Sequence, residues 1–187
     1  MTYFMESLRL GFSHWRREDL EYARLLWGNP EVTRLIGGKN GFSKEAIRER
    51  LKKEMRDQEQ YGVQYWPVFL KENHCFIGCC GLHPPNENGE MELGYHLLPK
   101  YWNQGFATEA GHAVIDYAQN TLHNTNICSG HHPDNLASAK CLRKLGFFRV
   151  GEKLYPPTGL LHPEYRLKQN IDHGTPSSFT PPHHAEV

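Results

Sequence analysis

One segment limits the possible folds more than any other. Residues 91–98, MELGYHLL, read as a strand, residues 111–122, GHAVIDYAQNTL, as a helix, and residues 124–130, NTNICSG, as a second strand. A strand, a helix and a strand in succession form a right-handed parallel crossover. Just upstream, VQYWPVFLKE and CFIGCCGL are separated only by Asn73-His74, and the loop PPNENG then leads to MELGYHLL. Such short connections make an antiparallel meander. One sheet must carry both kinds of pairing, so the fold class is α+β, a mixed α/β sheet.

The other segments fit this frame. Residues 7–12, SLRLGF, alternate apolar and polar and read as one strand. REDLEYARLLWGN carries Leu20, Ala23 and Trp27 on one helical face and stops at Gly28, and Pro30 opens a second short helix. Ser43 is a suitable N-cap for a long helix with Ile47, Leu51 and Met55 spaced by four, whose many charges read as a solvated face. The helix after the first strand of the crossover places Ala107, Ala110, Val114 and Ala118 on one side. HHPDN turns into a helix, LASAKCLRKL, that ends at Gly146, and FFRVGEKLY and HPEYRLK read as a closing strand pair. Residues 170–187 are polar and rich in Pro and Ser, so they read as a flexible tail, with His183 and His184 as no more than a weak metal pair.

Composition narrows the partners. Lys+Arg and Asp+Glu both number 21, so the formal charge is zero and nothing draws the chain to nucleic acid or anionic lipid. An anion site must then be local. No run reaches the roughly 18 apolar residues of a membrane span. The five cysteines follow no metal or redox spacing, which fits buried reduced thiols and a cytoplasmic protein without a structural metal.

Between the first crossover strand and its helix lies YWNQGFATEA, residues 101–110, with one glycine and no basic residue. If the helix starts near Gly105, the unpaired N–H groups of its first turn and the helix dipole can hold an anion unaided. Glu109 suits that helix end but should point away from a bound phosphate.

Taken together, ELGYHLLPKYWNQGFATEA and, farther on, HPDNLASAKCLRKLGF resemble the GCN5-related N-acetyltransferases (GNAT), and most of all the branch of ribosomal-protein N-terminal acetyltransferases. The resemblance is concentrated in residues 91–147. It implies an acetyltransferase domain over residues 7–169, with a mostly antiparallel twisted sheet of six to seven strands, flanking helices and a splayed parallel pair. It also implies acetyl-CoA as co-substrate. The pyrophosphate would lie on the N–H groups of Gln104, Gly105, Phe106, Ala107 and Thr108, and the pantetheine arm would pair with the backbone of Leu97 and Leu98. Asn135 and Ser138 match the family's Asn-x-x-Ser, although Asn135 also suits an N-cap with Ser138 at the capped position. Trp102 stands where the wider family has Gln or Arg.

The same resemblance bears on catalysis. Glu92 is the candidate base, acting through water, and it could equally orient neighbouring backbone or pair with an arginine. The wider family's tyrosine acid falls on Leu142, so Ser138 is the substitute or the thiolate leaves unaided. Tyr95, His96, His131, His132 and Tyr165 are candidates for the acceptor side. Selectivity is expected from residues 28–42 and the last strand pair. The implied reaction is acetyl transfer to a primary amine, either a protein N-terminus or a small molecule, by a monomer or homodimer. The alternative is a module on the same fold that holds acyl-CoA without turnover.

Overall fold

The computed structural model describes residues 2–37 and 41–168. Residue 1, residues 38–40 and the expected tail at 170–187, including His183 and His184, lie outside the described residues. One sheet holds eight strands: β1 (Met5–Glu6), β2 (Leu10–Phe12), β3 (Tyr65–Leu70), β4 (Phe76–Leu82), β5 (Met91–Leu97), β6 (Ile127–Gly130), β7 (Phe147–Tyr155) and β8 (Leu160–Leu167). Their spatial order is β1-β2-β3-β4-β5-β6-β8-β7. Every neighbouring pair is antiparallel except β5 and β6, the two strands joined by the crossover.

The eighth strand is β1, which lies before residues 7–12; those residues do not form one strand. The chain reverses at Ser7: its N–H donates to the Leu10 carbonyl at 2.9 Å and its hydroxyl accepts from Leu10 N–H at 3.2 Å. Met5 and Glu6 thereby pair with Phe12 and Gly11.

Helices cover both faces. On one face lie α1 (Leu20–Trp27), α2 (Pro30–Thr33) and α3 (Lys44–Tyr61), capped by Ser43 Oγ accepting from Ala46 N–H at 3.1 Å. Their apolar sides bury Leu26, Trp27, Ile47 and Leu51 against Tyr65, Phe69 and Phe76 of the sheet. On the other face lie α4 (Phe106–Asn120) and α5 (Leu136–Lys144). There Ala110, Val114 and Ala118 pack as the spacing predicts, with Phe106 buried beside them and Ala107 only half-buried.

Two expectations are corrected here. The charged face of α3 is not wholly solvated: Glu54 and Asp57 are buried, and Glu54 Oε2 accepts from the Tyr65 N–H at 2.7 Å, which satisfies the first amide of β3. Cys75 is exposed, because it sits in the turn before β4 with its N–H on Asn73 Oδ1. Cys79 and Cys80 are buried free thiols, and burial pushes both far above the ordinary thiol range.

Candidate active site

The parallel pairing of β5 and β6 is short. Only Met91↔Ile127 and Glu92↔Cys128 are in register. Beyond that, the Ser129 hydroxyl takes the Leu93 carbonyl at 2.8 Å, and β6 stays with β8 while β5 stays with β4 as far as Leu97. The strands therefore splay. The register fixes which groups face the opening. His83 N–H donates to the Glu92 carbonyl and Leu98 N–H to the Ile77 carbonyl, so alternate residues of β5 point their backbone at β4. Leu93, Tyr95 and Leu97 turn theirs to the gap.

A turn of 3-10 helix at Pro99–Tyr101 leads from β5 toward α4. Gly105 is the N-cap of α4 at φ +82°, a left-handed conformation that a side-chain-bearing residue adopts only with strain. The first helical bond runs from Glu109 N–H to the Gly105 carbonyl. The N–H groups of Phe106, Ala107 and Thr108 come before it and lack intrahelical partners. Glu109 points away from this opening, as expected, and accepts from the Ser7 hydroxyl, the Arg9 N–H and the Arg9 Nε at 2.7, 2.7 and 2.6 Å. Burial opposes its ionisation, but these bonds outweigh it and hold the carboxyl below its ordinary range.

Arg9 was not visible from the sequence as part of this region. Its guanidinium lies 4.2 Å from the centre of the Phe106 ring and reaches the Gln104 carbonyl at 3.3 Å. A stretch without basic residues thus acquires one from nearly a hundred positions away. The Gln104 side chain folds back onto the Lys100 carbonyl and is exposed outside the cavity.

Trp102 has a clear structural role. Its Nε1 donates to the Leu97 carbonyl at 2.7 Å and ties the loop to the end of β5. With the Leu98 N–H on Ile77, the gap-facing groups at this end reduce to the Leu97 N–H and the backbone of Tyr95.

The start of α5 closes the other side. Asn135 Oδ1 accepts from the Ser138 N–H at 3.0 Å, so Asn135 is an N-cap. Ser138 Oγ lies 2.8 Å from the Tyr95 hydroxyl. Tyr95 therefore belongs with α4 and α5 rather than with the expected acceptor group. Burial, with the neighbouring Cys141, keeps its phenol well above its ordinary range, so it stays protonated. Leu142 is fully buried and offers no acid.

The opposite face of β5 carries Glu92, Gly94 and His96. Glu92 Oε2 lies 3.7 Å from His83 Nδ1, and its side chain is half-exposed to the cavity. Burial works against its charge, but His83, Lys153 and His162 together hold the carboxyl below its ordinary range. His96 is held neutral by burial, beside the indole N–H of Trp27 at 3.4 Å. His131 is buried against the Tyr165 hydroxyl at 3.2 Å, and the His132 ring accepts from Asp134 N–H, so the pair serves the turn. One cavity of about 1110 Å³ is lined by Glu92 and His96 from one face and by Tyr95 and Leu97 from the other, along with Gly105 to Thr108 and Asn135 to Ser138. Glu31, Val32, Arg34, Leu35 and Ile36 line its far end, within the 28–42 segment expected to govern selectivity; residues 38–40 of that segment lie outside the described residues. Among the described residues, no cluster of three or more metal-ligating side chains is present, and no helix is long and apolar enough to cross a membrane.

Comparison with known proteins bears on this geometry. Residues 9–148 match the acetyltransferase (GNAT) domain family. An uncharacterized N-acetyltransferase, p20, of Bacillus licheniformis is 32% identical over 155 residues, covering 80% of this chain and 84% of that protein. The spermidine N-acetyltransferase of Vibrio cholerae, solved with CoA and spermine, superposes with a TM-score of 0.69 at 19% identity, over 84% of this chain and 93% of that one. RimL, a ribosomal L7/L12 α-N-protein acetyltransferase, superposes at 0.72 with 14% identity, over 86% and 90%. The two structures establish a shared fold.

Proposed function

This chain belongs to the GNAT acetyltransferases and is an acyltransferase, and from that premise we propose that it moves the acetyl group of acetyl-CoA directly to a primary amine. The observation that carries the reading is the splay of β5 from β6 beside the open N-terminus of α4. The residues fit the co-substrate. First-turn amides from Phe106 to Thr108, with no Cβ at Gly105, suit a pyrophosphate. The Leu97 N–H and Tyr95 backbone offer an unpaired strand edge to an amide-containing arm. Leu98, whose amide is engaged and whose side chain is buried in the core beside α1 and α3, does not line the cavity, and Gln104 contributes backbone only.

Acetyl-CoA supplies an activated carbonyl and a thiol leaving group with a pKa of about 8.5. The Tyr95 N–H, nearer to Glu92 on the same open edge, is the donor for the carbonyl oxygen as it gains charge, while the Tyr95 carbonyl and the Leu97 N–H stay with the arm. Glu92, ionised at neutral pH, accepts through water the proton that the amine must lose. That carboxylate is a weak base, which suits an α-amine with a pKa of about 7.7–8.0 better than a lysine near 10.4. Ser138 and Tyr95 form a hydroxyl pair that can return a proton to the sulfur. Tyr95 is the neutral donor missing at Leu142. The similarity to N-acetyltransferases weighs against a module that binds acyl-CoA without turnover. The test is CoA-thiol release across a panel of peptide N-termini and small amines. Acetyl-CoA-dependent release with at least one acceptor class is expected; saturable binding without release from any amine would overturn the enzyme reading.

A further inference from the structure

The acceptor half of the cavity contains a cation with little to hold it. Arg50, on α3, lines the cavity with its guanidinium 4.7 Å from the centre of the Trp27 ring. Its Nε is buried and has no hydrogen-bond partner among the described residues. The nearest carboxylate oxygen is Glu54 Oε1 at 3.9 Å, and Glu54 is already committed to the Tyr65 amide through its other oxygen. A planar guanidinium that lines a cavity, stacks on an indole and has no hydrogen bond at its Nε is suited to a carboxylate.

The surroundings point the same way. Arg34, Arg50, Lys153 and Arg166 line the cavity here against Glu31, Glu90, Glu92 and Glu164, so the charges balance and it is not the acidic trough that a polyamine would need. Arg50 and Glu92 line the same cavity, together with Tyr65 and Tyr155.

We propose that Arg50 is a specificity residue that reads a carboxylate on the acceptor, so that the substrate class is an amine carrying an acidic group near it, with the amine at Glu92 and the carboxylate at Arg50. The proposal rests on the acetyltransferase reading and narrows its acceptor. Free amino acids and peptides with an acidic first residue share this chemistry. The test uses matched pairs at saturating acetyl-CoA: glutamate and aspartate against their α-amides, and C-terminally blocked tetrapeptides beginning Glu or Asp against those beginning Gln or Asn. CoA release is expected to favour the carboxylate member by about tenfold to a hundredfold in kcat/KM, mostly through KM. Whichever pair shows the preference identifies the source. Arg50→Gln should erase the preference, and Arg50→Lys should restore part of it, with acetyl-CoA affinity within about twofold of wild type in both. Equal use of acid and amide members by wild type, or a preference surviving in Arg50→Gln, overturns the proposal while leaving the acetyltransferase reading intact. Release from no amine at all overturns that reading instead.

Discussion

The two halves of the cavity are built differently. The half beside α4 is made of backbone: the first-turn amides of one helix, the open edge of β5 and a cap at the start of α5. The half beside α1–α3 is made of side chains, Arg50, His83, Glu92, Lys153 and His162, drawn from five separate segments. A backbone site needs only a few permissive residues in one continuous run, and it serves a constant ligand. A side-chain site can be changed one position at a time, and it serves whatever acceptor the protein has taken on.

The comparison breaks most clearly at Glu92. Glu92→Gln is expected to lower kcat by about 10²–10⁴-fold while leaving acetyl-CoA affinity unchanged, measured by stopped-assay turnover and calorimetry together. Because the carboxyl sits below its ordinary range, it is already charged at neutral pH, and protonation removes it only in acid. The rise of kcat/KM between pH 6 and 8 should therefore follow the acceptor's own amine. It should shift upward when an α-amine is replaced by a lysine-like amine. Full activity in the Gln variant would remove Glu92 from the chemistry.

Gly105→Val attacks the other half. A β-branched residue at φ +82° carries a strain of about 1–3 kcal/mol, and the variant should lose about tenfold to a hundredfold in acetyl-CoA affinity by calorimetry. The space itself is not the obstacle, since an added Cβ would meet only the Arg9 guanidinium at 3.6 Å. Gly105→Ala should therefore fall between the two.

These two positions also show what could be read from the sequence. Gly105, Asn135 and Ser138 stand in two local runs, so their element, capping position and spacing were legible. The cap that Asn135 makes and the ligand contacts proposed for it are one geometry, because a helix start offers the same donors to either. Arg9 and Arg50 were not legible. Arg9 reaches α4 only because residues 7–10 fold into a hairpin that the alternation of SLRLGF disguised as a strand. Arg50 stood among the many charges of α3, and only the pairing of Glu54 with β3 reveals which of those charges face inward. Tyr95 was assigned to the wrong side, because strand alternation gives the face only once the helices covering that face are known.

Smaller effects refine the picture. Trp102→Phe keeps the ring and removes the bond to the Leu97 carbonyl, so acetyl-CoA affinity should fall about threefold to tenfold with little change in kcat. An unchanged Kd would mean the indole only packs. Glu109→Gln should lower stability by about 1–2 kcal/mol at pH 7, read by denaturant unfolding. The folded carboxyl titrates below its unfolded value, so its contribution is complete above about pH 5 and disappears as pH falls through the folded value. The gap between wild type and Glu109→Gln should close in acid. A gap that persists there would assign the effect to packing.

The central claim is that the backbone half alone holds the co-substrate. Calorimetric titration of acetyl-CoA into wild type, Arg50→Gln and Gly105→Val, with no acceptor present, tests it most directly. The account predicts the same micromolar-range binding for wild type and Arg50→Gln and a large loss in Gly105→Val. Binding that is absent from wild type at high micromolar acetyl-CoA, or that depends on Arg50 and not on Gly105, would contradict it.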